Sequence, residues 1–215
     1  KPLADLEAWP TSIQQGDMVT FDARSSDTME GIITNFIWDF GDGMSIETLV
    51  GLTSHKYGDW GIYDAKVTVE NDRGGTDSET VQISVNGAPE LLLNIPEQVK
   101  AGDIAVLDAS SSFDPEGEEI EFSWDSDWSQ DSDGDGDAKN DVDFTSSQIE
   151  IPTSNSREIL GSVSISDPDG GISTTSWAIE VLSRQFMVEW TERTFEYEWN
   201  GSLEEGETWT QNHFP

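Results

Sequence analysis

The chain has 215 residues, 34% of them hydrophobic, with 44 acidic against 10 basic residues and a formal net charge of −34. A surface this negative repels nucleic acid and anionic lipid, so neither is an expected partner. There are no cysteines, which excludes disulfides and thiolate metal sites.

Nine Trp and nine Phe supply large apolar units, enough for small folded cores. The acidity fits a saline setting, where salt screens self-repulsion, and equally fits plain solubility. A cysteine-free secreted domain with a small core needs another staple, and a bound metal is the obvious one. No apolar run approaches the roughly 18 residues of a membrane span. The chain opens abruptly on Lys1-Pro2 without an apolar leader, so it is expected to be a mature or excised piece of something longer.

Helix signals are nearly absent, and short alternating runs take their place. Met18 to Ala23, Ile32 to Phe40, Tyr63 to Glu70 and Glu79 to Val85 all read as strands. Between them lie the turn segments "SSDTMEG", "GDGMS" and "ENDRGG". This spacing predicts an all-β fold built as a sandwich. "NGAPE" (Asn86 to Glu90) breaks the pattern and restarts it, and "ELLLNI", "IAVLDA", "IEFSW", "QIEI", "ILGSVSIS" and "TTSWAIEVL" follow as a second strand set.

The two halves share marks in order. Gly16-Asp17 precedes "VTFDARSSD", and Gly102-Asp103 precedes "AVLDASSSFD". Trp38-Asp39 and Trp124-Asp125 end corresponding strands, and "ENDRGGTDS" matches "ISDPDGGIST". The repeat predicts tandem copies of one domain over residues 1–86 and 87–183, with little slack at the join. In 184–215, "FMVEW" and "FEYEW" flank Thr191 to Thr194 as a hairpin. Two or three strands do not fold alone, so this segment is expected to begin a truncated third domain or to serve as an assembly strand.

"WDFGDG" (Trp38 to Gly43), with "VTFDARSSD" before it and "HKYGDWGIY" and "KVTVENDRGG" after it, resembles the polycystic-kidney-disease (PKD) domain. The resemblance implies an Ig-like β-sandwich of extracellular and cell-surface proteins. Trp38 and Phe40 point to one face and both enter the core, while Gly41 and Gly43 allow the turn that follows. His55 and Tyr57 share a face, and Tyr63 with Gly61 suits a corner between sheets. The second half resembles the family through "LDASSSFDPEGEEIEFSWD". It departs after Trp124-Asp125, where an acidic loop (125–143) replaces "FGDG" and no His-x-Tyr follows.

Within that loop, "DSDGDGDAKNDVD" places six aspartates in thirteen residues, at 131, 133, 135, 137, 141 and 143. Calcium takes six to eight oxygen ligands, and alternating aspartates with interposed glycines can curl around one ion. Asp131, Asp133, Asp135 and Gly136 match the opening of an EF-hand loop, and Asp137 takes the position that gives a backbone carbonyl there. The closing acid is missing: Val142 holds that position, between Asp141 and Asp143. No Lys or Arg occurs from residue 101 to 138, so a cation is the expected neutraliser; Asp125 and Asp127 are candidates for a second ion. The alternative is a solvated acidic loop. Resemblance to PKD- and cadherin-like sandwiches implies a junction calcium site at Asn86, Asp114, Glu116, Asp167 and Asp169. Plain β-turns explain the same residues.

No catalytic constellation appears: there is no nucleophile motif, no zinc-binding H-E-x-x-H and no phosphate loop. Trp60 and Trp128 are candidate sugar-stacking platforms, against packing roles; Trp190, Trp199 and Trp209 are weighed with them. Asn200-Gly201-Ser202 is a lone sequon. The expected function is a non-catalytic, Ca2+-binding extracellular stalk or adhesion segment of a secreted or surface protein. Its expected partners are other domains of that protein, copies of itself, or polysaccharide. The alternatives are a repeating subunit of an extracellular filament or surface layer, and the accessory substrate-binding region of a secreted hydrolase.

Overall fold

The computed structural model describes residues 1–189 and 198–202, and every regular element among them is a β-strand. No helix among the described residues is long and apolar enough to cross a membrane. The chain forms two compact units. One comprises Lys1–Pro89 with the turns Asp114–Glu119 and Asp167–Gly171, and the other takes the remainder.

The first unit contains β1 (Pro2–Leu3), β2 (Glu7–Trp9), β3 (Ser12–Gln14), β4 (Met18–Asp22), β5 (Asp27–Thr28), β6 (Ile33–Asp39), β7 (Ser45–Thr48), β8 (Leu52–Lys56), β9 (Gly61–Asn71) and β10 (Thr76–Asn86). A five-stranded sheet runs β3-β10-β9-β6-β7 and a three-stranded sheet runs β2-β4-β8, with β1 and β5 as a short pair. Strand β3 lies parallel to β10, and the other pairs are antiparallel. Alternation decides which faces meet. Val19 and Phe21 of β4, Phe36 and Trp38 of β6, and Ala65, Val67 and Val69 of β9 are all buried in one core. As expected, Phe40 joins Trp38 inside, and the buried Tyr57 hydroxyl donates to the Phe40 carbonyl at 3.0 Å. The imidazole of His55 stacks on Phe40 with ring centres 4.0 Å apart, and its Nε2 lies 2.6 Å from Asp42 Oδ2. The Tyr63 hydroxyl donates to the Asp59 carbonyl at 3.0 Å, closing the corner.

The second unit contains β11 (Gln98–Lys100), β12 (Ile104–Asp108), β13 (Glu121–Asp125), β14 (Gln148–Pro152), β15 (Arg157–Ser166), β16 (Ile172–Leu182), β17 (Gln185–Glu189) and β18 (Glu198–Ser202). One sheet runs β11-β16-β15-β13, and β12 pairs with β14. Again the first short strand, β11, lies parallel to the last long one, β16. Trp124, Leu107, Ile159, Val163 and Ile179 fill its core. The chain is thus all-β, with tandem Ig-like sandwiches.

The "ELLLNI" run does not form a ladder. Only isolated bridges pair Glu90 with Phe113 and Asn94 with Asp108. Between the bridges the Ser112 hydroxyl accepts from the Leu92 N–H at 3.0 Å and donates to the Leu92 carbonyl at 3.3 Å, in place of a backbone partner. Leu91, Leu93 and Ile95 still pack on the core. Strands β17 and β18 pair antiparallel with Glu189 opposite Glu198, so the second strand runs past "FEYEW" to Ser202. Thr191 to Thr194, where the hairpin turn is expected, lie outside the described residues with Trp190, Trp209 and His213, and the side chain of Trp199 is not described either.

Candidate metal centre

The acidic loop leaves the end of β13. In the first unit Trp38 faces Ile46 across β6 and β7, and its indole donates to Thr48 Oγ1 at 2.8 Å, ten residues on. In the second unit Trp124 bridges to Phe144, and its indole donates to the Ser146 carbonyl at 2.7 Å, twenty-two residues on. The sandwich register is therefore kept on both sides of the insertion, and the extra residues are confined to one turn.

Inside the loop, Asp131, Asp133 and Asp135 each present an oxygen within 4.8 Å of the other two, on an exposed face. Backbone donors orient these carboxylates. Asp131 accepts the Gly134 and Gly136 N–H groups at 2.6 and 3.0 Å, and Asp133 accepts the Asp135 N–H at 2.9 Å. Asp135 accepts the Asp137 N–H at 2.8 Å and the Asn140 amide at 2.9 Å. Hydrogen bonds from Asn140 and then Asp137 hold its carboxyl below the usual carboxylate range. Gly134 and Gly136 have φ of 79° and 98°, a backbone region that suits glycine and lets the carboxylates turn inward. Asp137 accepts the Lys139 N–H at 3.1 Å. Three hard oxygens this close, all from carboxylates, fit a divalent cation with oxygen preference.

The remaining loop acids are used differently. Asp141 is buried and accepts the Ser132 and Asp133 N–H groups at 2.9 and 3.2 Å. Asp143 accepts the Ser126 N–H and hydroxyl at 2.8 and 2.6 Å and the Ser132 hydroxyl at 3.1 Å. Burial pushes the Asp143 carboxyl up, but these serine donors outweigh it and hold it low. Asp127 is engaged by Arg157 at 2.6 Å and by the Ser129 hydroxyl at 2.6 Å. Burial raises the Asp127 carboxyl, and Arg157 and Ser129 more than reverse it. The region is thus not left to cations alone, because pairing of β13 with β15 brings Arg157 to a stretch that has no basic residue of its own. Arg184 reaches Asp103 in the same way.

The second acidic group gathers in the first unit. Asn86 donates to Asp167 Oδ2 at 2.9 Å and to Gln14 Oε1 at 3.0 Å, and Glu116 accepts the Gly87 N–H at 2.8 Å. Asp114 Oδ1 accepts the Glu116 and Glu118 N–H groups at 2.8 and 3.1 Å, while its buried Oδ2 has no partner. Asp169 offers its backbone carbonyl to Gln14 at 2.8 Å. Glu118 belongs to the cluster and was visible in "DPEGEE" only as one acid among many. Burial pushes its carboxyl up, and the charges of Asp169, Asp114, Asp167 and Glu116 add to that. The matching turn of the first repeat carries Asn71, which accepts the Gly75 N–H at 2.8 Å as Asp167 accepts that of Gly171 at 2.8 Å. There the Asn71 amide satisfies itself on Thr28 and Glu30 at 3.2 and 3.3 Å.

Of the two candidate stacking platforms, Trp60 is 45% exposed and packs beside Gly87. Trp128 is partly buried, with Lys139 over its ring at 4.9 Å, which takes up one face.

Comparison with known proteins supports the reading of the first unit. Residues 1–85 match the family model of the PKD domain. "Collagenase ColA" of Clostridium perfringens is 33% identical over 75 residues, which are 35% of this chain and 7% of that collagenase. "Microbial collagenase" of Vibrio alginolyticus is 37% identical over 79 residues, 36% of this chain and 10% of its own length. The PKD1 domain of the Vibrio cholerae metalloprotease PrtV is 27% identical, covering 39% of this chain and 95% of that domain, with a TM-score of 0.34.

Proposed function

We propose that this chain, whose residues 1–85 match the family model of the PKD domain, is a non-catalytic, calcium-binding extracellular segment of a longer secreted or cell-surface protein, acting as a stalk or adhesion spacer. The observation that carries the calcium part is the convergence of Asp131, Asp133 and Asp135 within 4.8 Å on a loop whose ends are held in sandwich register. Without a cation these carboxylates repel one another; with one, their charge is cancelled and the loop is fixed. The acidic group around Asn86, Asp114, Glu116, Asp167 and Asp169 is a second calcium candidate, supported by the unpartnered Asp114 oxygen. Thermal melting in excess EDTA, then in millimolar calcium, then in magnesium at matched ionic strength, tests the reading. A rise specific to calcium that is diminished by Asp131→Asn, Asp133→Asn and Asp135→Asn together supports it. Equal melting in all three solutions overturns it, since a ligand that binds only the folded state must raise stability.

A second reading is favoured by the relatives, both collagenases of which the matched stretch is a small part. On it, the chain is an accessory substrate-binding region of a secreted hydrolase. Co-sedimentation with insoluble collagen and with chitin, repeated with Trp60→Ala, separates the two readings: retention that Trp60→Ala abolishes favours the accessory role.

A further inference from the structure

Asp125 sits at the root of the acidic loop and is 4% exposed, yet neither of its carboxylate oxygens has a hydrogen-bond partner. A carboxylate removed from water without a partner is costly, so such a group points to a missing ligand. Its acidic neighbours sharpen the point. Asp141 is 3% exposed, and Asp143 is fastened to the loop root through Ser126 and Ser132. No ion pair among the described residues reaches Asp125, Asp141 or Asp143, because Arg157 is taken by Asp127 and Lys139 lies over Trp128.

Burial pushes the Asp125 carboxyl above its ordinary range. The charges of Asp143 and Asp141 add to this, and the Asp127 N–H and the Trp128 indole, which lie near the carboxylate without closing a hydrogen bond of normal geometry, pull the other way. The Trp128 indole nitrogen is itself buried without a hydrogen-bond partner.

We infer that the loop root is a further cation site, separate from the exposed Asp131–Asp133–Asp135 group, in which a hard divalent cation is anchored by buried Asp125, with Asp141 and Asp143 adding negative charge from the same loop. Calcium is the expected ion, since carboxylate oxygens are hard donors and magnesium rarely gives up its waters for a site built from protein groups. The inference shares its ion with the proposed function but rests on different residues. The two candidate sites are joined by backbone: Asp141 receives the N–H groups of Ser132 and Asp133, so an ion at the root steadies the strand of loop that carries the outer carboxylates.

The test is calcium titration by calorimetry on the EDTA-stripped full chain in four forms: unchanged, Asp131→Asn/Asp133→Asn/Asp135→Asn, the same triple variant with Asp125→Asn, and Trp128→Phe. The expected result is that the triple variant retains calcium binding, that adding Asp125→Asn removes one further equivalent, and that Trp128→Phe keeps it. Equal equivalents in the triple and quadruple variants overturn the root site while leaving the outer-loop reading standing. A triple variant that binds as many equivalents as the unchanged chain overturns the outer site and leaves the root site to the Asp125 comparison. If Trp128→Phe lowers the melting temperature in EDTA and Asp125→Asn does not change calcium binding, the carboxylate is held by the indole and the inference fails. Asp125→Asn removes an unpaired buried charge and is expected to fold, which circular dichroism in EDTA verifies.

Discussion

Trp38 and Trp124 hold the same place in their two sandwiches: each is buried, each lies one residue before an aspartate at a strand end, and each indole donates to the segment returning from the next turn, at 2.8 and 2.7 Å. The turn between indole and acceptor is where the two units differ. In the first it is a tight glycine turn closed by Asp42 and His55, and in the second it is the acidic loop. A long insertion costs little when its ends are pinned, because loop entropy grows slowly with length.

That pinning predicts a large effect at Trp124. Replacing it by alanine deletes a fully buried indole and leaves the Ser146 carbonyl without its donor. Destabilisation of about 3–5 kcal/mol is expected, read from urea unfolding. Trp124→Phe is expected to fall well short of that loss.

Gly161 carries the next prediction. A Cβ there would lie 2.3 Å from Trp177 Cζ2 and 2.4 Å from the Asp125 carbonyl oxygen. The carbonyl belongs to paired strand β13 and cannot give way as a flexible side chain can. Gly161→Ala is expected to cost at least about 1–3 kcal/mol and to lower the melting temperature.

Asp42 makes stability depend on pH. Burial raises its carboxyl, but the His55 hydrogen bond and the Met44 N–H together hold it below the ordinary value. A carboxyl lowered in the folded state stabilises above the unfolded value of about 3.9 and loses that contribution as pH falls through the folded value. The stability gap between the unchanged chain and Asp42→Asn is expected to close as the pH falls below about 4. Melting curves from pH 7 to pH 2 read this directly; a gap that does not narrow refutes it.

Arg157 and the overall charge respond oppositely to salt. With a net charge of −34, the chain is expected to melt higher as NaCl is added in EDTA, because screening weakens self-repulsion. The Arg157–Asp127 pair is partly exposed, so Arg157→Ala is expected to cost about 1 kcal/mol or less at low salt. That difference is expected to shrink as salt rises. Paired melts across a salt series check both slopes.

The all-β class, the repeat, the core tryptophans and the place of the inserted loop were all legible in the residues alone. These follow from local rules: period-two alternation, turn residues between runs, and motifs recurring in order. Alternation also named the buried face of each long strand, since a one-residue slip would turn Val67 and Val69 outward. Alternation misled at "ELLLNI", where the Ser112 hydroxyl takes both the Leu92 N–H and its carbonyl in place of a backbone partner. The tertiary structure alone decided how the acids divide. Spacing treated Asp131 to Asp143 as one aspartate run and Asp125 with Asp127 as a pair for a second ion. The fold gives Asp127 to Arg157, gathers Asp131 with Asp133 and Asp135, turns Asp141 onto the loop backbone, and buries Asp125 without a partner. Each assignment depends on the register of β13 against β15 and on how the loop closes over it. A carboxylate's fate is set by which distant donor or cation that register brings to it, and no local period encodes this.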